Sequence, residues 1–118
     1  MRLAIPTTDR KGLRSHVAAV FARAPTFTYI DVIDEEIRRV EVEENPARNL
    51  EHGAGPIVAK LLKERGIDIV ATDRVGPGAS TLLEMSGIKS VRIPSGIRVS
   101  EAVRRALEEI RDQGILPN

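Results

Sequence analysis

One pattern occurs twice in the second half of the chain. Gly55-Pro56 is followed by nine residues and then Gly66-Ile67; 21 residues further on, Gly76-Pro77 is followed by nine residues and then Gly87-Ile88. Proline suits the first helical position, where its missing N–H would have had no intrahelical partner. Glycine at the far end takes the left-handed conformation that stops a helix. Each copy leads into an apolar, β-branched run. The repeat restricts this part of the chain to helix–strand units set side by side, and it places two helix N-termini where a ligand can meet them.

The remaining segments can be read around that repeat. Leu3-Ala4-Ile5, ended by Pro6, is a first strand, and residues 7–14 form a polar loop. Ser15 is expected to cap a short helix through Ala18, Ala19, Val20 and Phe21, which Pro25 terminates. Residues 26–33 and 37–43 alternate as β-strands joined at Asp34-Glu35-Glu36. Glu44-Asn45-Pro46 stops the second of them, and residues 47–55 are a loop. The first unit then gives a helix with Ile57, Val58, Leu61 and Leu62 on one face, followed by a strand over 67–72. The second gives a helix carrying Ala79, Leu82, Leu83 and Met85, followed by a strand over 88–93. Ser100 caps a final helix built on Ala102, Val103, Ala106, Leu107 and Ile110, with Gly114 as its stop.

The strands at 67–72 and 88–93 should be parallel neighbours, because such crossovers are right-handed. The simplest α/β arrangement is a mixed five-stranded sheet of order 3-2-1-4-5, flanked by helices. All 118 residues are expected to form one domain. Open sheets of this kind bind ligands at the carboxyl ends of their strands, where the winding reverses, here between the first and fourth strands. Thr7, Thr8, Thr72, Asp73 and Arg74 project from that edge.

Composition narrows the chemistry. A formal charge of +1 supplies no field to gather nucleic acid or anionic lipid. With no cysteine, thiolate ligands, disulfides and cysteine nucleophiles are excluded. The N-terminus has too few apolar residues for a signal peptide and no run is long enough to span a membrane, so a cytoplasmic location is expected. A two-metal nuclease needs converging carboxylates. The first strand carries none, Asp68 begins the fourth at the wrong edge, and Asp73 stands alone, so a nuclease is rejected. No Ser-His-Asp order or paired-carboxylate spacing suggests another hydrolase, and the expectation is a protein without enzymatic activity.

Three motifs then acquire meaning together: Ser15-His16-Val17 running into Phe21-Ala22-Arg23-Ala24-Pro25, Glu44-Asn45-Pro46 followed by His52-Gly53-Ala54-Gly55, and Thr72 followed by Val75-Gly76-Pro77. With the strand order, they resemble the dinitrogenase iron–molybdenum cofactor-binding family, which includes NifX-type proteins and the C-terminal domain of NifB. The resemblance implies a ribonuclease-H-like three-layer fold and a small protein that carries or stores a metal cluster, an iron–molybdenum or iron–sulfur one, with a protein partner in cluster assembly. The family commonly reads His-Phe-Gly-Arg where this chain has Val20-Phe21-Ala22-Arg23. Cysteines found in some cluster-handling relatives are missing.

His52 is the leading candidate for a ligand. It stands before a glycine-rich helix start, imidazole ligates iron, zinc or molybdenum, and the helix dipole favours an anion nearby. The alternative is a loop histidine bonded to a local carbonyl. His16 is the second candidate metal ligand; the alternative is an exposed first-turn residue. Gly53, Gly55, Gly76 and Gly78 permit close backbone approach, or serve only turns and caps. Thr72 lies at the same edge. Arg23 is read either as an anion contact or as a structural pairing at the hairpin entrance. The resulting expectation is a carrier binding a metal cluster or small anion at the carboxyl edge of the sheet, covered by the loop over 8–16. The other reading is an interaction or regulatory module that keeps the fold without the cluster.

Overall fold

The two repeated units end in the same way. A computed structural model describes residues 1–114. In it, helix α1 spans Ala54–Glu64 and α2 spans Pro77–Met85. After α1, Gly66 N–H donates to the Lys63 carbonyl at 3.1 Å and Ile67 N–H to Leu62 at 3.0 Å. After α2, Gly87 N–H donates to Glu84 at 3.0 Å and Ile88 N–H to Leu83 at 2.9 Å. Both glycines are left-handed, with φ of 70° and 76°. These are paired Schellman stops, and the isoleucine and leucine of each belong to one buried apolar cluster. Because Ile67 and Ile88 serve the stops, their strands begin later than the apolar runs suggest: β4 is Ile69–Thr72 and β5 is Lys89–Arg92.

β1 (Arg2–Thr7), β2 (Thr26–Ile33) and β3 (Glu36–Glu44) complete one sheet of order β3-β2-β1-β4-β5. β1 pairs antiparallel with β2 and parallel with β4, β2 pairs antiparallel with β3, and β4 pairs parallel with β5. The expected mixed sheet is therefore the one formed. Asp34 and Glu35 turn the hairpin with φ of 54° and 63°. Positive φ at both central residues marks the turn whose twist suits two antiparallel strands.

Two apolar clusters sandwich the sheet. Leu3, Ile5, Ile30, Ala71, Val91 and Ile93 meet helix α3 (Val99–Asp112) through Val103, Ala106 and Ile110. On the other face Ala4, Phe27, Tyr29 and Val70 meet α1 and α2 through Val58, Leu62 and Leu83. No helix among the described residues is long and apolar enough to cross a membrane.

Four local expectations need correction. Residues 15–21 do not form a helix; only Gly12–Arg14 make a single 3₁₀ turn, closed by Ser15 N–H on the Gly12 carbonyl. The following backbone is taken by tertiary partners instead. Val17 N–H donates to Ile97 at 2.9 Å, Ala18 N–H to Pro6 at 2.8 Å, and the His16 carbonyl accepts Thr8 N–H at 3.0 Å. Ser100 is not the cap of α3: the helix starts at Val99, whose N–H finds the Ser15 carbonyl at 2.9 Å. Helix α1 begins at Ala54 after a left-handed Gly53, so Pro56 is its third residue, a position whose N–H also has no intrahelical partner. Met85 is 78% exposed, because α2 sits near the sheet edge and buries little beyond Leu83.

Candidate functional site

β1, β3, β4 and β5 run one way and β2 the other. The four co-directional strands therefore end, and α1, α2 and α3 begin, at one edge of the sheet. None of the three helices has a side chain capping its start. The chain itself closes α3 through the Ser15 carbonyl. The other two starts remain open and lie side by side. A Cβ on Gly55, the second residue of α1, would stand 3.7 Å from the Ala79 Cβ, on the third residue of α2. The unsatisfied first-turn N–H groups of both helices thus concentrate partial positive charge at one place.

His52 is exposed and directly precedes Gly53, whose φ of 76° turns the chain into α1. Arg23 is exposed too, and its Nη1 donates to the Glu51 carbonyl at 3.5 Å, joining the two loops. Asn45 fixes their spacing from below. Its side chain is fully buried; Nδ2 donates to the Ala22 and Ala24 carbonyls at 2.8 and 2.9 Å, and Oδ1 accepts Ala47 N–H at 2.9 Å. Arg23, His52, Gly53 and Gly55 therefore share one corner of the edge.

His16 belongs to a different surface. It is exposed and bridges to Arg98 at the start of α3, in the segment that covers the α3 face. The loop over 8–16 accordingly folds toward α3 and not over the α1 and α2 starts. Among the described residues, no group of three or more His, Cys, Asp or Glu side chains is placed to hold a metal ion. Thr7 is also withdrawn from the site. Its hydroxyl is buried against those of Thr26 and Thr28, at 2.6 and 3.0 Å.

Thr72 ends β4 and Gly76 opens α2 as its cap residue. Beside Thr72 lies a crevice of about 210 Å³, lined also by Asp73, Val75, Ser90, Val91 and Arg92. Asp73 accepts Ser95 N–H at 3.3 Å and Arg92 Nε at 3.4 Å. The Ser95 backbone bond first, and Arg92 beside it, hold the Asp73 carboxyl below the usual carboxylate range. Ser90 and Arg92 were not legible as site residues. Their one signal is that Lys89, Ser90 and Arg92 interrupt the run from Ile88 to Ile93 with polar side chains.

Known proteins resemble this chain in both sequence and fold. A family model described as dinitrogenase iron-molybdenum cofactor matches residues 1–109. The chain belongs to the dinitrogenase iron–molybdenum cofactor family. The apo form of the orange protein from Desulfovibrio gigas is 33% identical, with a TM-score of 0.82 over 91% of this chain and 87% of that one. A Thermotoga protein described as a candidate NifB protein is 34% identical, with a TM-score of 0.75 over 91% and 87% of the two chains. An uncharacterised protein of Methanocaldococcus jannaschii is 30% identical over 108 residues, 92% of this chain and 86% of its own.

The donor set of this family member can be weighed against a metal cluster. It holds no thiolate, and its two histidines lie in segments on opposite faces of the sheet. That set does not enclose a metal ion. What the edge presents is two uncapped helix starts, the exposed guanidinium of Arg23 and the exposed imidazole of His52.

Proposed function

We propose that this protein is a non-enzymatic carrier for an anionic metal cluster or small anion, handed to or from a protein partner in cluster assembly. The cargo sits at the carboxyl edge of the sheet, against the paired starts of α1 and α2. His52 supplies the one imidazole beside it, Arg23 supplies charge, and Gly53, Gly55 and Gly76 let the cargo approach the backbone. Thr72 borders the same edge, and His16, held on the α3 side, stands apart from it. The observation that carries this reading is the contact of Gly55 with Ala79, which brings two uncapped helix starts together. Electrostatic holding of this kind needs no cysteine, in keeping with a carrier that must also release its cargo.

Anaerobic reconstitution with iron and sulfide, followed by metal analysis and visible absorbance, tests it. The wild type should take up colour, and His52→Ala and Arg23→Ala should lose most of it, whereas His16→Ala should lose little. A colourless, metal-free protein would instead favour the interaction or regulatory module.

A further inference from the structure

We propose that the crevice at the ends of β4 and β5 binds a single tetrahedral oxyanion of the phosphate class, held by Arg92, Thr72 and Ser90. The proposal rests on the reading of this edge as an anion site and shares Thr72 and the α2 start with it. It uses Arg92 and Ser90 where the cargo site uses His52 and Arg23, so phosphate binding by the Arg92 variants and cluster uptake by the His52 variant report on the two separately.

Thr72 is the first observation. It is 3% exposed and lines the crevice, yet its hydroxyl bonds to no described residue. The other buried threonines, Thr7, Thr26 and Thr28, bond to one another. No fully enclosed polar side-chain atom among the described residues lacks a partner. The Thr72 hydroxyl therefore reaches the crevice and remains available there as a donor.

Strand alternation brings the other two groups to it. Val91 and Ile93 belong to the α3-side cluster and Ile88 to the α1/α2-side cluster. Ser90 and Arg92 consequently stand on the α2 side, and Arg92 is the direct β-partner of Thr72. The Arg92 side chain is 80% exposed, and only its Nε is engaged, at 3.4 Å from Asp73. Both Nη groups are free among the described residues, the fork geometry that grips an oxyanion in two places. If Arg92 turns to a ligand, Asp73 still keeps its bond from Ser95 N–H. The α2 start follows directly after Val75, with no side chain on its N–H groups.

The crevice opens to solvent, and its volume of about 210 Å³ has room for a partly hydrated oxyanion.

The test is a ¹⁵N-resolved titration of the full chain with inorganic phosphate, with chloride at matched ionic strength as the control. Saturable shifts are expected at the amides of 72–76 and 90–92, and chloride should not reproduce them. Arg92→Ala should weaken phosphate by roughly tenfold or more, and Thr72→Val and Ser90→Ala by a few-fold each. Arg92→Lys should fall between wild type and Arg92→Ala, and Arg38→Ala, on β3 at the opposite end of the sheet, should leave the affinity unchanged. Shifts that do not saturate, or an affinity unchanged in Arg92→Ala, would overturn the proposal. Should Thr72→Val fail to fold, the exposed Arg92 and Ser90 variants decide alone.

Discussion

Asn45 offers the sharpest test of how the loops at the carboxyl edge are held. Its fully buried amide satisfies the Ala22 and Ala24 carbonyls and the Ala47 N–H at 2.8 to 2.9 Å. Ala24 and Ala47 are themselves fully buried, whereas Ala22 is only half-buried, so water can reach its carbonyl in a variant. Asn45→Ala thus leaves two buried backbone groups without partners. At roughly 1–3 kcal/mol each, the expected loss is about 4 kcal/mol. That is a large share of the roughly 5–15 kcal/mol that holds a domain together. Urea unfolding should report it as a lower midpoint with little change in slope.

Asn45→Asp separates hydrogen bonding from simple cavity formation. A carboxylate oxygen would face two carbonyls that need a donor, so at neutral pH this variant should be less stable than Asn45→Ala. Burial and those carbonyls would raise its carboxyl above the unfolded value of about 3.9. A carboxyl with a raised folded pKa destabilises above that pKa, and the penalty fades as pH falls toward the unfolded value. The gap between Asn45→Asp and wild type should therefore narrow on acidification. A loss below about 1 kcal/mol in Asn45→Ala, or a gap that widens in acid, would refute this account of the loops. Because Asn45 holds the loop of Arg23 against the chain leading to His52, Asn45→Ala should also lose reconstituted colour at temperatures where it stays folded.

Three further outcomes follow from the geometry. Gly55→Ala should be neutral to stabilising by up to about 1 kcal/mol in thermal melts, since its Cβ meets Ala79 at an ordinary 3.7 Å; Gly55→Leu should cost about 1–3 kcal/mol and lower cluster uptake by prising the helix starts apart. Glu35→Gly should stabilise by about 0.5–1 kcal/mol, because it relieves a φ of 63° and sacrifices only an exposed ion pair to Arg111; a net loss would show that the pair outweighs the turn. Glu43 is held below the usual carboxylate range first by Arg65 and then by the Tyr29 hydroxyl. Its contribution is present above the ordinary carboxylate pKa and disappears as pH falls through the depressed folded value. Arg65→Ala should thus lower the urea midpoint near neutrality and leave it almost unchanged in strong acid, as followed by urea midpoints against pH.

The repeat was readable because everything it specifies is local. Pro77 at a helix start, Gly66 and Gly87 at helix ends, and Ile67 and Ile88 just beyond them all act within one turn of themselves. The sheet order followed from handedness once those units were placed. Residues 15–21 were misread as a helix because their spacing suits one, while the partners that hold them extended, Pro6 and Ile97, are distant in sequence. His16 was drawn toward His52 by the shared edge, and only the packing of its segment on the α3 face separates them.

The sequence by itself determined the units, the strand order and the edge at which three helices begin. Capping, turn chemistry and crossover handedness depend on neighbours in the chain. Tertiary structure alone decided that Gly55 meets Ala79, that Asn45 joins two loops, and that Thr72 shares a crevice with Ser90 and Arg92. Each of these is a contact between segments whose separation in sequence says nothing of their distance in space.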